Sequence, residues 1–161
     1  MFPPIPHLAA ALPWDEFRQR ALPIVDGQRS AVLAVCQETW PLCFQMAVAP
    51  APDLSAIFFA TAEGSSKLEA LRQARLCCLF FSTASNQEED PQRAVTLACY
   101  GVAGPLGGGA LEAARVQLCR RHPRLETFFS DPATVVLAMD MKAAVLTERF
   151  QQVAAAWRQE P

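Results

Sequence analysis

The chain alternates short apolar runs with turn residues, and this alternation limits the folds that it can adopt. Each run is rich in β-branched, aromatic or cysteine side chains and is bounded by turn-forming residues, which is typical of a strand. The predicted strands cover residues 30–37, 42–49, 56–61, 76–82, 94–104, 134–140 and 143–148. The strand–helix alternation of a parallel sheet is missing. The pattern therefore predicts a mainly β (α+β) fold, a six- or seven-stranded antiparallel barrel with peripheral helices.

Helices are predicted at a few points around these strands. The first spans about 14–22, because Asp15 and Glu16 suit a first helical turn and Pro23 follows. Later helices are predicted from residue 66, from 107 to about 121, and near 124–129 and 151–158. Gly101 and Gly104 lie inside a predicted strand, where glycine indicates a bend or bulge. The 161 residues contain no internal repeat, so we predict a single domain over residues 1–161.

Composition excludes several classes of protein. Hydrophobic residues make up 52% and charged residues 19%, which favours a folded chain over a disordered one. A net charge of −2 gives no reason to expect a nucleic-acid or membrane partner. The first residues lack a basic segment and are broken by prolines, unlike a signal peptide, and no apolar run reaches membrane-spanning length. We therefore expect a cytoplasmic protein.

The residues that usually hold metals are scattered, so the sequence predicts no metal site. The six cysteines include no CxxC pair, and we expect buried free thiols rather than zinc ligands or disulfides. The acids in residues 86–91 lack the alternating spacing of a calcium loop. His7 and His122 have no neighbouring ligand set. We interpret the basic segment around His122 as a solvated helix end, and contact with haem or an anion is the alternative.

One segment carries a chemical signal. Between two predicted buried strands lies the turn Gly64-Ser65-Ser66-Lys67, which opens a short helix. Free N–H groups and the positive end of the helix dipole favour an anion there, and a phosphate fits well. Lys67 is one of only two lysines in the chain. A structural interpretation stays open, because Ser65 or Ser66 is also a suitable N-cap and Thr61 a suitable strand end.

The segment resembles a known family. The sequences Phe58-Phe59-Ala60-Thr61, Gly64-Ser65-Ser66-Lys67 and Gln73-Ala74-Arg75, with the strand that leads into 101–106, are similar to the FMN-binding split barrels. This is the superfamily of pyridoxamine 5′-phosphate oxidase and its relatives. The resemblance covers roughly residues 28–106 and implies a split β-barrel that binds flavin mononucleotide (FMN) as a homodimer, with the flavin at the interface.

The resemblance also implies a set of cofactor-binding residues. The family holds the FMN phosphate with a strand-end threonine and the turn after it, and the flavin ring lies near neighbouring strands. By position, the phosphate contacts are Thr61, Ser65, Ser66 and Lys67, and the ring contacts are the main chain of Ala60 and the side chain of Gln45 or Thr96.

Some residues of this sequence differ from the family pattern, and these differences change the function that we expect. Ser66 stands where the family has an arginine, so Lys67 is the main cation for the phosphate, and the substrate-binding residues of the true oxidase have no match. We therefore expect a relative of the oxidase, such as the haem-utilisation-like or general stress proteins. Three functions are compatible with this pattern. They are a flavin-dependent oxidoreductase with an unassigned small-molecule substrate, an FMN- or haem-binding protein without turnover, and an interaction module that has lost its cofactor. The deazaflavin F420 is an alternative to FMN.

Overall fold

The structure is a computed structural model that describes residues 9–158. Within these residues, eight strands and five helices follow one another, together with a 3₁₀ turn at Pro123–Leu125. The strands are β1 (Ala10–Ala11), β2 (Ser30–Gln37), β3 (Trp40–Pro50), β4 (Ala56–Ala62), β5 (Leu76–Ser82), β6 (Thr96–Pro105), β7 (Thr134–Glu148) and β8 (Gln152–Trp157). The helices are α1 (Trp14–Gly27), α2 (Ser66–Ala74), α3 (Asp90–Arg93), α4 (Gly108–Arg121) and α5 (Glu126–Ser130).

Six of these strands close into an antiparallel barrel. The sheet order is β1-β8-β7-β4-β3-β2-β5-β6, and an additional pairing of β6 with β7 joins the ends of the six-stranded part. β8 extends the sheet from β7, and β1 pairs with β8 in parallel. The predicted mainly β fold with an antiparallel barrel and peripheral helices is therefore confirmed.

The barrel interior is a single apolar core. Alternate side chains of each strand point inward, as the period of two requires, and they meet side chains from α1 and α2. From α1 come Phe17, Ala21 and Val25, and from α2 come Leu68 and Leu71, all of them buried. The apolar stripes of these two helices thus complete the core that the strands begin.

One predicted helix end and one predicted helix were wrong. α1 continues through Pro23 to Gly27, because one missing N–H removes a single hydrogen bond while Ala21 and Val25 remain buried on either side. The predicted C-terminal helix at 151–158 is strand β8 instead. Its alanines favour a helix in isolation, but here they pair with β7 from Ala144 to Leu146, so tertiary pairing overrides propensity.

The strands predicted at 134–140 and 143–148 form one continuous strand, β7. Its pairing with β6 shifts register between Tyr100 and Gly101, which is the irregularity predicted from the glycine. Asp140 lies at this shift. Its carboxylate accepts a hydrogen bond from Arg158 at 2.6 Å and forms an ion pair with Lys142 at 2.8 Å. Burial raises the pKa of Asp140, but these two cations outweigh it and lower that pKa overall.

The outer surface of the barrel is covered on one side. Helices α4 and α5 contact the outer surfaces of β3, β4 and β7, and they enclose a small second cluster that includes Ala60, Leu118 and Phe129. On β2, β5 and β6, by contrast, the outward side chains remain half-buried or exposed. We call this second surface the open face, and its outward residues are Val32, Ala34, Leu76, Cys78, Phe80, Ala98 and Tyr100. No helix among residues 9–158 is long and apolar enough to cross a bilayer.

Candidate functional site

The turn between β4 and α2 is held by paired hydroxyl groups. Thr61, the last inward residue of β4, is buried, and its Oγ1 lies 2.8 Å from Oγ of Ser65. Ser65 is the N-cap of α2 and accepts a hydrogen bond from the amide of Leu68 at 3.3 Å. Gly64 supplies the left-handed backbone (φ 78°) that the tight turn requires. Ser65 is therefore the N-cap, as the structural interpretation predicted, and its hydroxyl forms hydrogen bonds within the turn.

Beyond the cap, α2 presents donors that the protein does not use. Within residues 9–158, the amides of Ser66 and Lys67 and the hydroxyl of Ser66 have no hydrogen-bond acceptor. Two unpaired amides in the first turn of a nine-residue helix form the arrangement that binds anions. The residues present therefore fit a phosphate group through the amides and hydroxyl beside Lys67.

Lys67 lies at the side of this turn, against an aromatic ring. Its Nζ is 5.3 Å from the ring centroid of Phe44, a half-buried residue of β3. A cation–π contact of this kind holds the ammonium group near the first turn of α2 without neutralising its charge. The lysine thus remains able to attract an anion.

The sheet opens beside the turn. The pairing between β3 and β4 ends at Phe59, so β4 continues through Ala60 and Thr61 with β7 as its only paired neighbour in the described register. The main chain of Ala60 lies at this opening, but its side chain points outward into the cluster under α4 and α5. The structure therefore brings Ala60, Thr61, Ser65, Ser66 and Lys67 together in one region.

Gln45 and Thr96 lie apart from this region, on the outer surface. Gln45 is exposed on β3 and donates a 2.6 Å hydrogen bond to Oγ of Ser30. Thr96 is on β6, opposite Ser82 of β5 and Thr147 of β7. β2 and β5 separate β3 from β6, so the two side chains are about 14 Å apart across the strands. A single copy of the chain does not place Gln45 and Thr96 in one contact set.

Solved structures with this architecture identify the fold. A haem-binding protein from Mycobacterium smegmatis superimposes with a TM-score of 0.75 at 12% identity, over 83% of this chain and 55% of that protein's length. A protein related to general stress protein 26 of B. subtilis (pyridoxinephosphate oxidase family), from Clostridium acetobutylicum, gives a TM-score of 0.65 at 14% identity, with 88% and 94% covered. A candidate pyridoxamine 5′-phosphate oxidase from Listeria innocua gives 0.61 at 15% identity, with 80% and 95% covered.

This chain has the split-barrel fold that these solved structures share. The likeness is one of fold, because all three sequences are far below the identity that transfers a function. No protein-family model matches the chain, and no curated protein matches it in sequence.

Arg72 on α2 and Arg75 directly after it extend the charged region of the split barrel. Arg72 forms a 2.6 Å ion pair with Glu63, across the 64–67 turn. Arg75 takes a left-handed conformation (φ 53°), and its carbonyl accepts the amide of Ala103 at 2.8 Å, which ties the end of α2 to β6. Both arginines line a cavity of about 200 Å³ between α2 and the ends of β6 and β7. Arg75 was already part of the family-like segment, whereas neither Phe44 nor Glu63 carried a signal in the sequence.

Two adjacent cysteines on β5 and the histidine after α4 also carry side chains of potential chemical use. Burial raises the pKa of Cys77 to about 12 and that of Cys78 to about 11, so neither thiol is a nucleophile at neutral pH. His122 follows α4, and its Nε2 lies 2.8 Å from the carbonyl of Val48. No group of three or more His, Cys, Asp or Glu side chains within residues 9–158 is arranged to hold a metal ion.

Proposed function

We propose that this split barrel is a flavoprotein that binds FMN as a homodimer and acts as a flavin-dependent oxidoreductase on a small-molecule substrate. The observation that carries the proposal is the pair of unused amides on Ser66 and Lys67 at the start of α2. A phosphate group placed there accepts both amide hydrogens and the Ser66 hydroxyl, and Lys67 supplies a full positive charge. Thr61 and Ser65 position this turn through their hydroxyl pair.

The open face supports the dimer part of the proposal. Phe80 is 38% exposed and Leu76 60% exposed, and both point outward from β5 beside Val32 and Ala98 of the neighbouring strands. Helices cover the opposite surface of the barrel, so this apolar surface is the one that lacks a covering element within the described residues. A second copy of the chain is the occupant that we infer, since two such surfaces are complementary by symmetry.

The dimer also gives Gln45 and Thr96 a role. Both lie on the same outer surface as the open face, at its edges. In a symmetric pair, residues far apart on one copy approach each other across the interface. We propose that the flavin ring lies there, with its phosphate at the 64–67 turn. When bound, the flavin supplies the redox chemistry, and these residues bind, orient and shield it from water.

Haem is the second candidate ligand, because a haem-binding protein shares the fold. His122 is the histidine that the described residues offer as an axial ligand. Its Nε2 is already bonded to the Val48 carbonyl, and it lies under α4 rather than at the open face. The unused amides of α2 suit a phosphate better than a porphyrin, so FMN is the stronger proposal, and F420 would use the same phosphate contacts.

Removing the lysine of the turn tests the phosphate site. We expect Lys67→Ala to weaken FMN binding at least tenfold, about 1.4 kcal/mol, because the charge nearest the first turn of α2 is lost. The affinity is measured by titrating the flavin fluorescence, and Arg124→Ala serves as a control that removes one exposed positive charge elsewhere. Restoring the family's arginine with Ser66→Arg should tighten binding. Equal affinities for Lys67→Ala and the parent protein would contradict the phosphate site.

A charge on the open face tests the homodimer. We expect Phe80→Glu to shift the protein from the mass of two chains to the mass of one in light scattering, because a buried unpaired carboxylate is strongly unfavourable in an interface. Val116→Glu is the matched control, since Val116 is 54% exposed on α4, outside the open face. A parent protein with the mass of one chain, or a Phe80→Glu protein that stays dimeric, would show that this surface is not the interface.

A further inference from the structure

A second cleft lies at the other end of the barrel. It has a volume of about 580 Å³ and is bounded by the end of α1, the last turn of α4 and the turn that follows β3. The residues that line it are Leu22, Asp26, Gly27, Arg29, Ala49, Pro50, Ala51, Pro52, Gln117, Arg120 and Arg121. We call it the arginine cleft. The arginine cleft lies beside the first residue of β4, and the 64–67 turn follows the last residue of β4. The length of this strand, about 20 Å, therefore separates the two sites.

One of the three arginines has a structural task. Arg121 donates through Nη2 to the carbonyls of Val25, Asp26 and Gln28, at 2.5, 3.0 and 2.7 Å. The carbonyl of Val25 also accepts the amide hydrogen of Gln28, at 3.3 Å, so Arg121 adds a second donor there and supplies a donor to the carbonyls of Asp26 and Gln28. Arg121 therefore joins α1 to α4 and shapes the cleft wall.

The other two arginines keep unused donors. Arg29 donates one hydrogen bond, from Nη1 to the carbonyl of Arg121 at 2.6 Å, which leaves most of its guanidinium group unpaired. Arg120 is exposed, and its side chain has no hydrogen-bond or ion-pair partner within residues 9–158. A guanidinium group carries five N–H donors. Arg29 and Arg120 together therefore keep several N–H groups that no acceptor in the described residues uses.

The cleft has an excess of positive charge. Burial lowers the pKa of Arg121, the carboxylate of Asp26 raises it, and the nearby charge of Arg29 lowers it again, so two like charges are close together. Asp26 is the one acid in the lining, and its Oδ1 lies 3.9 Å from Nη1 of Arg121. The ends of α1 and α4 contribute about half a negative charge each. Three cations against one carboxylate and two helix ends still leave the cleft positive.

We propose that the arginine cleft binds the phosphate group of a small organic phosphate. Arg29 and Arg120 are the contacting residues, because a guanidinium group matches two oxygens of a phosphate and a dianion satisfies two such groups. Gln117 supplies a further amide donor from the preceding turn of α4. Leu22, Pro50 and Pro52 form an apolar wall for the organic part of the ligand, and the volume is within the range of small-molecule sites.

Titration with two phosphates tests this site independently of FMN. Inorganic phosphate and glycerol 3-phosphate are added to the ¹⁵N-labelled protein at constant ionic strength, up to about 20 mM, since a Kd on the order of 1 mM is expected for so small a contact. We expect saturable shifts of the Gly27, Ala51 and Arg120 amides, with glycerol 3-phosphate binding at least as tightly as inorganic phosphate. Arg120→Gln should weaken binding about tenfold and Arg29→Gln/Arg120→Gln should abolish it.

Two controls separate this site from its alternatives. Arg124→Gln removes an exposed arginine outside the cleft and should bind as the parent does, and Lys67→Ala should also leave these shifts unchanged. Absent shifts, shifts that persist in the double variant, or binding of inorganic phosphate without glycerol 3-phosphate would overturn the proposal. Because none of these outcomes depends on the 64–67 turn, the FMN site stands or fails separately.

Discussion

A Gly101→Ala protein is expected to be strongly destabilised. A methyl group at this position would lie 2.2 Å from the carbonyl oxygen of Asp140 and 2.8 Å from Cγ of Met139. The oxygen belongs to the backbone of β7, at the point where its register against β6 shifts. It cannot move away without breaking the pairing that closes the barrel. We expect a loss of about 3 kcal/mol or more in the free energy of unfolding.

Urea denaturation followed by tryptophan fluorescence measures this loss, with Gly104→Ala as the matched control. Gly104 is on the same strand, but a methyl group there meets only the flexible end of Arg75, at 3.6 Å. Its midpoint should lie close to that of the parent protein. Equal midpoints for Gly101→Ala and Gly104→Ala would mean that the close approach of β6 to β7 is not as described.

A Phe59→Ala protein is expected to lose about 3–5 kcal/mol, because a fully buried aromatic side chain leaves a cavity that the core fills only in part. Phe59 is 0% exposed in the barrel interior, and its strand pairs with β3 at Val48 and with β7 at Leu137. Phe58→Ala is the control in the same denaturation experiment. Phe58 is half-buried on the outer surface, so its removal should cost clearly less. A Phe59→Ala loss no larger than the Phe58→Ala loss would contradict the assignment of inner and outer faces.

Most of the fold followed from patterns that are local in the chain. Short apolar runs bounded by turn residues predicted the barrel strands, because buried strands are short and rich in apolar side chains. The prediction failed for 151–158, since alanine has no strand preference of its own and β8 exists through its pairing with β7. It also ended α1 at Pro23, where burial of Ala21 and Val25 outweighs one lost hydrogen bond.

The residues of the candidate site that are contiguous in sequence could be predicted, and those that only the fold brings together could not. The 64–67 turn could be predicted because its residues are contiguous, and the structure adds which of its groups are used and which remain unpaired. Phe44 reaches Lys67 from another strand, and Arg29 meets Arg121 across 92 positions of sequence. No spacing rule connects residues that only the closed barrel brings together. The arginine cleft could therefore not be predicted from the sequence, which does not show that its three arginines come together.

The visible spectrum of the purified protein tests most directly whether the 64–67 turn binds the phosphate of FMN. We expect a yellow protein with flavin absorption bands, or a colourless one that binds added FMN and quenches its fluorescence as the complex forms. Loss of this binding in Lys67→Ala would then assign it to the turn. A colourless parent protein that leaves added FMN unaffected would contradict the claim and favour a barrel that serves as an interaction module.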